Sequence, residues 1–227
     1  MHPDIFNNYQ RILTEITEAC TRVGRDPSLV KLVAVSKTVG HSEVATAISA
    51  GIRSFGENRV DQLREKQEAF PNMHWHFVGS IQTNKIKELV GRAELIHSVS
   101  SERALIAIAK RAQALDITQK LLIEVNVSGE ESKDGIFPGQ LDELLDRATE
   151  LEGIAVRGLM TMAPQGDARA ARAAFRGLRE LRDSFIASYG GAGRIRLQEL
   201  SMGMSEDFTL AVEEGATIVR IGRSIWI

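Results

Sequence analysis

Lys37 comes directly after the apolar run Leu32-Val33-Ala34-Val35 and Ser36. A lysine leaving the end of a buried strand is partly stripped of water, which lowers its pKa and frees the amine to attack an aldehyde. A solvated or ion-paired lysine is the plainer use of that position, and position alone does not separate the two. Near the other end of the chain stand two short runs suited to a phosphate, Ser201-Met202-Gly203-Met204-Ser205 and Gly222-Arg223-Ser224. Glycine lets backbone N–H groups approach a dianion, serine adds hydroxyl donors, and Arg223 adds charge. Taken singly, each run is equally an ordinary tight turn with a serine helix cap. The pair tells more, because barrels of alternating strands and helices build phosphate sites from their last two such loops. Arg220 is a guanidinium between Val219 and Ile221. It must face an opening or find a partner, either the aromatic nitrogen of a bound ring or a carboxylate such as Glu199.

For these residues to meet, the ends of the first and last strands must converge. Short β-branched runs alternate along the chain with longer stretches of helical period. A helix is expected from Ile5 to Val23, with Ile5, Tyr9, Ile12, Leu13, Ile16 and Ala19 on one face. Strands are expected at Leu32–Val35, Ile52–Phe55, His74–Val78, Leu95–His97, Lys120–Val127, Ile154–Met162, Leu197–Leu200 and Thr217–Ile221. Helical patterns separate them, at Ser42–Ala50, Val60–Ala69, Asn84–Val90, Glu102–Ala114, Leu141–Leu151, Ala168–Tyr189 and Glu206–Glu214. Eight strand–helix units predict an α/β fold, one closed (β/α)8 barrel over residues 1–227, with the extra first helix outside it or plugging its bottom. An open dinucleotide-binding sheet would need a glycine-rich first turn, and Ser36-Lys37-Thr38 is not one. At the strands' C-terminal ends, where such barrels keep their sites, fall Ser36, Lys37, Glu57, Asn58, Arg59, Gly79, Ser80, Gln82, His97, Ser98, Asn126, Ser128, Met160, Thr161, Met162, Ser201, Met202, Gly203, Arg220, Gly222 and Arg223.

The 227 residues, 43% hydrophobic and 26% charged, suffice for a full core without disulfide or metal. A net charge of −2 offers no basic surplus for nucleic acid or an anionic membrane. The single cysteine, Cys20, excludes an internal disulfide and suits a cytoplasmic protein. The first residues carry no apolar signal-peptide region, and no run approaches the length that crosses a bilayer.

The ordered set Ala34-Val35-Ser36-Lys37, Phe55-Gly56-Glu57-Asn58, His76-Phe77-Val78-Gly79, Gln82-Thr83-Asn84-Lys85, Val125-Asn126-Val127, Glu131-Ser132-Lys133 with Gly135, Arg157 to Met162, Leu200 to Ser205 and Val219-Arg220-Ile221-Gly222 resembles the pyridoxal phosphate homeostasis protein family, the proline-synthase-co-transcribed homologues. The resemblance runs from about residue 5 to the end. It implies a barrel like the N-terminal domain of alanine racemase, with pyridoxal 5′-phosphate (PLP) as cofactor. It implies a Schiff base on Lys37, a phosphate held by Ser201 and the loop of Gly222 and Arg223, Arg220 facing the pyridine nitrogen, and Asn58 and Met202 near the ring. It further implies a role in vitamin B6 and amino/keto-acid balance; PLP-requiring apo-enzymes are the expected partners, and a monomer is the expected state. Position 223 departs from the pattern, being arginine where the family commonly has a small or hydroxyl residue. The final Ser224-Ile225-Trp226-Ile227 stands where an Ile-Phe-Gly step is common.

A weak PLP-dependent amino-acid racemase is the alternative. It needs a second base opposite the lysine, which the racemase resemblance assigns to a tyrosine from an added β domain; no such domain is expected here. Tyr9 and Tyr189 both fall in helical patterns away from the expected mouth, and His97 reads better as a hydrogen-bonded structural residue. The expectation is therefore a PLP holder without established catalysis. A barrel enzyme for a phosphorylated substrate, without PLP, is the third possibility. His74 and His76 lack a third ligand for a metal. Lys133 reads as a loop charge or a cofactor contact. The arginines at 169, 172, 176, 179 and 182 read as a solvated helix face paired with Glu180 and Asp183.

Overall fold

The computed structural model describes residues 4–130, 133–189 and 193–227; Glu131 and Ser132 of the motif noted above lie outside them. Eight parallel strands close into a barrel in sequence order, with the last pairing against the first. They are β1 (Lys31–Val35), β2 (Ser54–Glu57), β3 (His74–Phe77), β4 (Leu95–Val99), β5 (Gln119–Glu124), β6 (Ile154–Met160), β7 (Ile195–Ser201) and β8 (Ile218–Ile221). The helices are α1 (Ile5–Arg22), α2 (His41–Ser49), α3 (Val60–Ala69), α4 (Ile86–Leu89), α5 (Glu102–Ala114), α6 (Leu141–Thr149), α7 (Ala168–Tyr189), α8 (Phe208–Glu213) and a single turn, α9 (Arg223–Trp226). The expected barrel is thus the observed one, and no helix among the described residues is long and apolar enough to cross a membrane.

Most element boundaries differ from the expected ones by one to three residues, and two of the shifts have a clear physical reason. Ile52 is buried but precedes β2, because its N–H caps α2 through the Ala47 carbonyl. β5 stops at Glu124 because its loop folds back there. Ile136 N–H donates to the Glu124 carbonyl, and Asn126 N–H to that of Ile136, so the loop takes over the ladder.

α1 lies outside the barrel. Its buried face carries Ile5, Ile12, Ile16, Ala19 and Cys20. Arg22 pairs with Glu213 at 2.7 Å, and Asn8 Nδ2 donates to the carbonyls of Ile225 and Ile227, both at 3.2 Å. The Trp226 indole N–H in turn donates to the Val35 carbonyl at 2.7 Å, tying the last turn to the strand that precedes Lys37. Arg172, Arg176, Arg179 and Arg182 of α7 are ion-paired as expected, but only Arg182 takes the expected Asp183. Arg172, Arg176 and Arg179 converge on the nearly buried Glu214 carboxylate, at 3.0–3.1 Å. The three pairs to Glu214 join α7 to the end of α8.

Candidate active-site cavity

A cavity of about 730 Å³ opens at the C-terminal ends of the strands. Its wall includes Lys37, Asn58, Arg220, Gly222 and Arg223, drawn from the ends of β1, β2 and β8, so five of the seven residues that the resemblance assigns to the cofactor meet there, with Gly79, Ser80 and Ser98 from other strand ends. Lys37 is exposed to this opening, and its amine has no hydrogen-bond or ion-pair partner among the described residues. The backbone beside it is held firmly. Ser36, fully buried, donates its hydroxyl to Glu57 Oε1 at 2.6 Å, and Lys66 Nζ reaches both that oxygen at 2.6 Å and the Ser36 carbonyl at 2.7 Å. A buried ion pair thus fixes the residue before the free lysine. Asn58 is set by close backbone approach: a side chain on Gly79 would put its Cβ 2.2 Å from the Asn58 carbonyl oxygen.

The loops after β7 and β8 touch one another at the rim. Ser224 N–H donates to Ser205 Oγ at 3.4 Å, and Arg223 pairs with Glu206 at 2.7 Å across the gap. Ser205, Met204 and Asp207 line the cavity with Gly222 and Arg223. Gly203 sits beneath this loop with φ of +92°, and an added Cβ would come within 2.6 Å of Ala211 on α8, so only glycine lets the loop lie so close to that helix.

Ser201 and Met202 are not on the wall. Both are fully buried, and the barrel's stagger is the reason. Ser201 pairs in register with Ile218, and Gly203, not Ser201, is level with Arg220, whose N–H it accepts at 3.0 Å. Ser201 therefore occupies the layer beneath Arg220, and its hydroxyl accepts from Arg220 Nη1 at 2.7 Å. Arg220 Nη2 donates to the Thr161 carbonyl at 3.0 Å and to Met162 Sδ at 3.3 Å. The carboxylate considered as its partner, Glu199, instead accepts from Thr217 Oγ1 at 2.5 Å. Arg220 is 4% exposed, and burial lowers its pKa to about 10, opposed by the negative charges of Glu124 and Asp207. It remains a cation at neutral pH.

Glu124 is the wall residue that the sequence reading missed. Its carboxyl has no hydrogen-bond donor among the described residues, and burial raises its pKa to about 7, with Asp134 adding to the rise and Arg220 opposing it. The signal was present: Glu124 stands two residues before Asn126, on the same strand face, as the one acid in the apolar run from Leu121. Lys133 also lines the cavity, 19% exposed, with Nζ 3.4 Å from both the Met162 carbonyl and Glu130, which favours a site contact over a solvated loop charge. His97 is fully buried behind Ser201, 2.8 Å from its hydroxyl, and Nε2 of His97 is 2.9 Å from Nδ1 of His76. Tyr9 lies at the opposite end of the barrel, against the turn before β2, where Cε1 is 3.8 Å from a Cβ placed on Gly51. No tyrosine lines the cavity among the described residues.

Known proteins place this geometry. Residues 8–227 match the family described as the alanine racemase N-terminal domain. The chain is 45% identical to the pyridoxal phosphate homeostasis protein of Aquifex aeolicus over 215 residues, 93% of this chain and 92% of the relative. It is 36% identical to the protein of the same name from Escherichia coli, over 98% and 96% of the two chains. Among solved structures, PipY of Synechococcus elongatus with PLP bound superposes with a TM-score of 0.82 at 34% identity, covering 93% of this chain and all of that one. An alanine racemase of Clostridium difficile, at 15% identity, TM-score 0.73 and 56% coverage of that chain, shares the fold.

Proposed function

The chain belongs to the alanine racemase N-terminal-domain family, and on that premise we propose that it binds PLP in the cavity between Lys37 and Arg220 and serves intracellular B6 homeostasis. The observation that carries this reading is the pairing, in one cavity, of an unpartnered lysine amine with a buried guanidinium, beside two touching loops of the kind that hold phosphate. The residues present suit the cofactor. Lys37 would hold it as a Schiff base. Gly222, Arg223 and Ser205 would cradle the phosphate, and Asn58 would flank the ring. Arg220 would face the ring nitrogen. When bound, PLP supplies an aldehyde and an electron-withdrawing ring. A guanidinium donating to the ring nitrogen keeps that nitrogen unprotonated and limits the withdrawal.

That electrostatic setting, and a cavity wall without a tyrosine among the described residues, favour holding the cofactor over turning over amino acids. The reading extends to the chain as one PLP-binding unit, monomeric, that exchanges cofactor with apo-enzymes and so bears on amino- and keto-acid balance. The names of the homeostasis proteins and the PLP in the PipY structure support it. The test is uptake of added PLP by the purified protein, followed by visible absorbance and, after borohydride reduction, by peptide mass spectrometry. A pyridoxyl mass on Lys37, absent in Lys37→Ala, is expected. A wild-type protein that takes up no PLP overturns the reading, and sustained turnover of an amino acid well above free PLP would make the protein a racemase-like enzyme instead.

A further inference from the structure

We propose that Ser201 and His97 are positioning residues for Arg220, and that the Ser201 hydroxyl is committed to this role rather than to the ligand's phosphate. The inference rests on PLP as the ligand. The geometry is a buried chain of four groups in hydrogen-bond contact: Arg220 Nη1 to Ser201 Oγ at 2.7 Å, Ser201 Oγ to His97 Nδ1 at 2.8 Å, and His97 Nε2 to His76 Nδ1 at 2.9 Å. It runs from the cavity wall down the barrel interior. His76 Nε2, at its far end, has no partner among the described residues.

The proton positions follow from counting donors. Arg220 can only donate, so Ser201 Oγ accepts from it. If Ser201 gives its own proton to His97 Nδ1, then His97 Nε2–H donates to His76 Nδ1, and one group is left over, the His76 Nε2–H. If the chain runs the other way, His97 Nδ1–H donates to Ser201. Both the serine proton and the His76 Nε2 lone pair are then left without partners. A buried polar group left unmet is costly, so the first arrangement holds. In it both imidazoles are neutral, as their environment requires: burial lowers His76 to about 4 and His97 well below the ordinary histidine value, and the nearby Arg220 charge disfavours a proton on His97 further. A neutral His97 accepting from Ser201 turns the serine lone pair toward Arg220. With the Thr161 carbonyl holding Nη2, this leaves the guanidinium with one orientation toward the cavity. The sequence order hides the relation, since Ser201, His97 and Thr161 come from β7, β4 and the loop just after β6.

Three ligands separate this role from a phosphate contact: PLP, pyridoxal, which lacks the phosphate, and a deaza analogue of PLP with carbon in place of the ring nitrogen. Dissociation constants would be measured for the full-length wild type, Ser201→Ala, His97→Leu and His97→Asn. A hydrogen bond to a charged group is worth roughly 1.5–3 kcal/mol, about tenfold or more in affinity. Ser201→Ala and His97→Leu are expected to weaken PLP and pyridoxal alike by about tenfold and to leave the deaza analogue's affinity, already lower, unchanged. His97→Asn, whose amide oxygen falls near the place of Nδ1, is expected to restore most of the loss. A Ser201→Ala loss with PLP but not pyridoxal would return Ser201 to the phosphate, and an equal loss with all three ligands would make the chain merely structural. Nitrogen-15 NMR of the ligand-free wild type gives a readout that needs neither variants nor binding. A neutral His97 with its proton on Nε2 is expected, and a proton on Nδ1 overturns the relay. Wild-type protein that binds none of the ligands refutes the PLP reading, while the NMR result still decides the relay.

Discussion

Two buried serines stand at the base of the cavity, and the protein supports them in opposite ways. Ser36, next to Lys37, gives its hydroxyl to Glu57, whose charge is met by Lys66. Ser201, beneath Arg220, shares its hydroxyl between that cation and a pair of neutral histidines. The first support places a full ion pair beneath a lysine whose amine has no partner among the described residues. The second meets the Arg220 guanidinium with a hydroxyl and a carbonyl, both uncharged, while the acids Glu124 and Asp207 stand farther off. In each case the support lies behind a nitrogen side chain that lines the cavity, and it fixes its base in place.

The sharpest way to break the comparison is to remove half of the ion pair. Glu57→Gln or Lys66→Met leaves an uncompensated buried charge or donor, at a cost of about 3–5 kcal/mol. In a barrel of this size that lowers the melting temperature by on the order of 10 °C. The double replacement Glu57→Leu with Lys66→Met is expected to recover much of this loss in thermal denaturation, because a well-packed apolar pair avoids desolvation altogether.

Acid discriminates the neutral support next. His76 and His97 bind protons more readily unfolded than folded, so stability is full above the ordinary histidine pKa of 6.5 and falls as pH drops toward about 4. Melting temperatures from pH 7 to 4 should show this decline, and His76→Phe should flatten it. A profile equally steep in the variant would place the acid sensitivity elsewhere.

Glu124 has neither kind of support, and its effect is expected to be the smallest, because it faces the open cavity. Its folded pKa, raised to about 7 from 4.5, means that the protonated form suits the fold. The stability it favours is present below pH 4.5 and lost as pH rises through 7. Glu124→Gln should therefore raise the melting temperature by a few degrees at pH 8, at roughly 2–4 °C per kcal/mol, with little change at pH 5.

Much of this was legible in the residues. The β-branched runs and helical periods pointed to the barrel, since each buried strand must read as apolar and each outer helix as amphipathic. Lys37, Asn58, Arg220, Gly222 and Arg223 were found because each ends or follows a strand, and strand ends converge wherever a barrel closes. The layer occupied by Ser201 was not legible. It depends on the stagger between β7 and β8, which no local pattern encodes. Glu57 and Lys66 were hidden likewise: an acid at a strand end and a lysine in a polar helix reveal their pairing only when α3 packs on its strand. Arg223 was seen to be unusual, and its exposed pairing with Glu206 shows how a long side chain is accommodated there: it leaves the cavity for the rim.

The hydrogen bond from the Trp226 indole to the Val35 carbonyl joins residues 191 positions apart in the chain, and β1 completes its ladder on one side through β8. During synthesis, then, Lys37 leaves the ribosome long before it has a site to belong to. Its strand has no closing neighbour, and the loop of Gly222 has not been made. A topology whose first strand waits for its last has high contact order and folds slowly. The surroundings of Lys37 are completed last, although that residue is translated among the first.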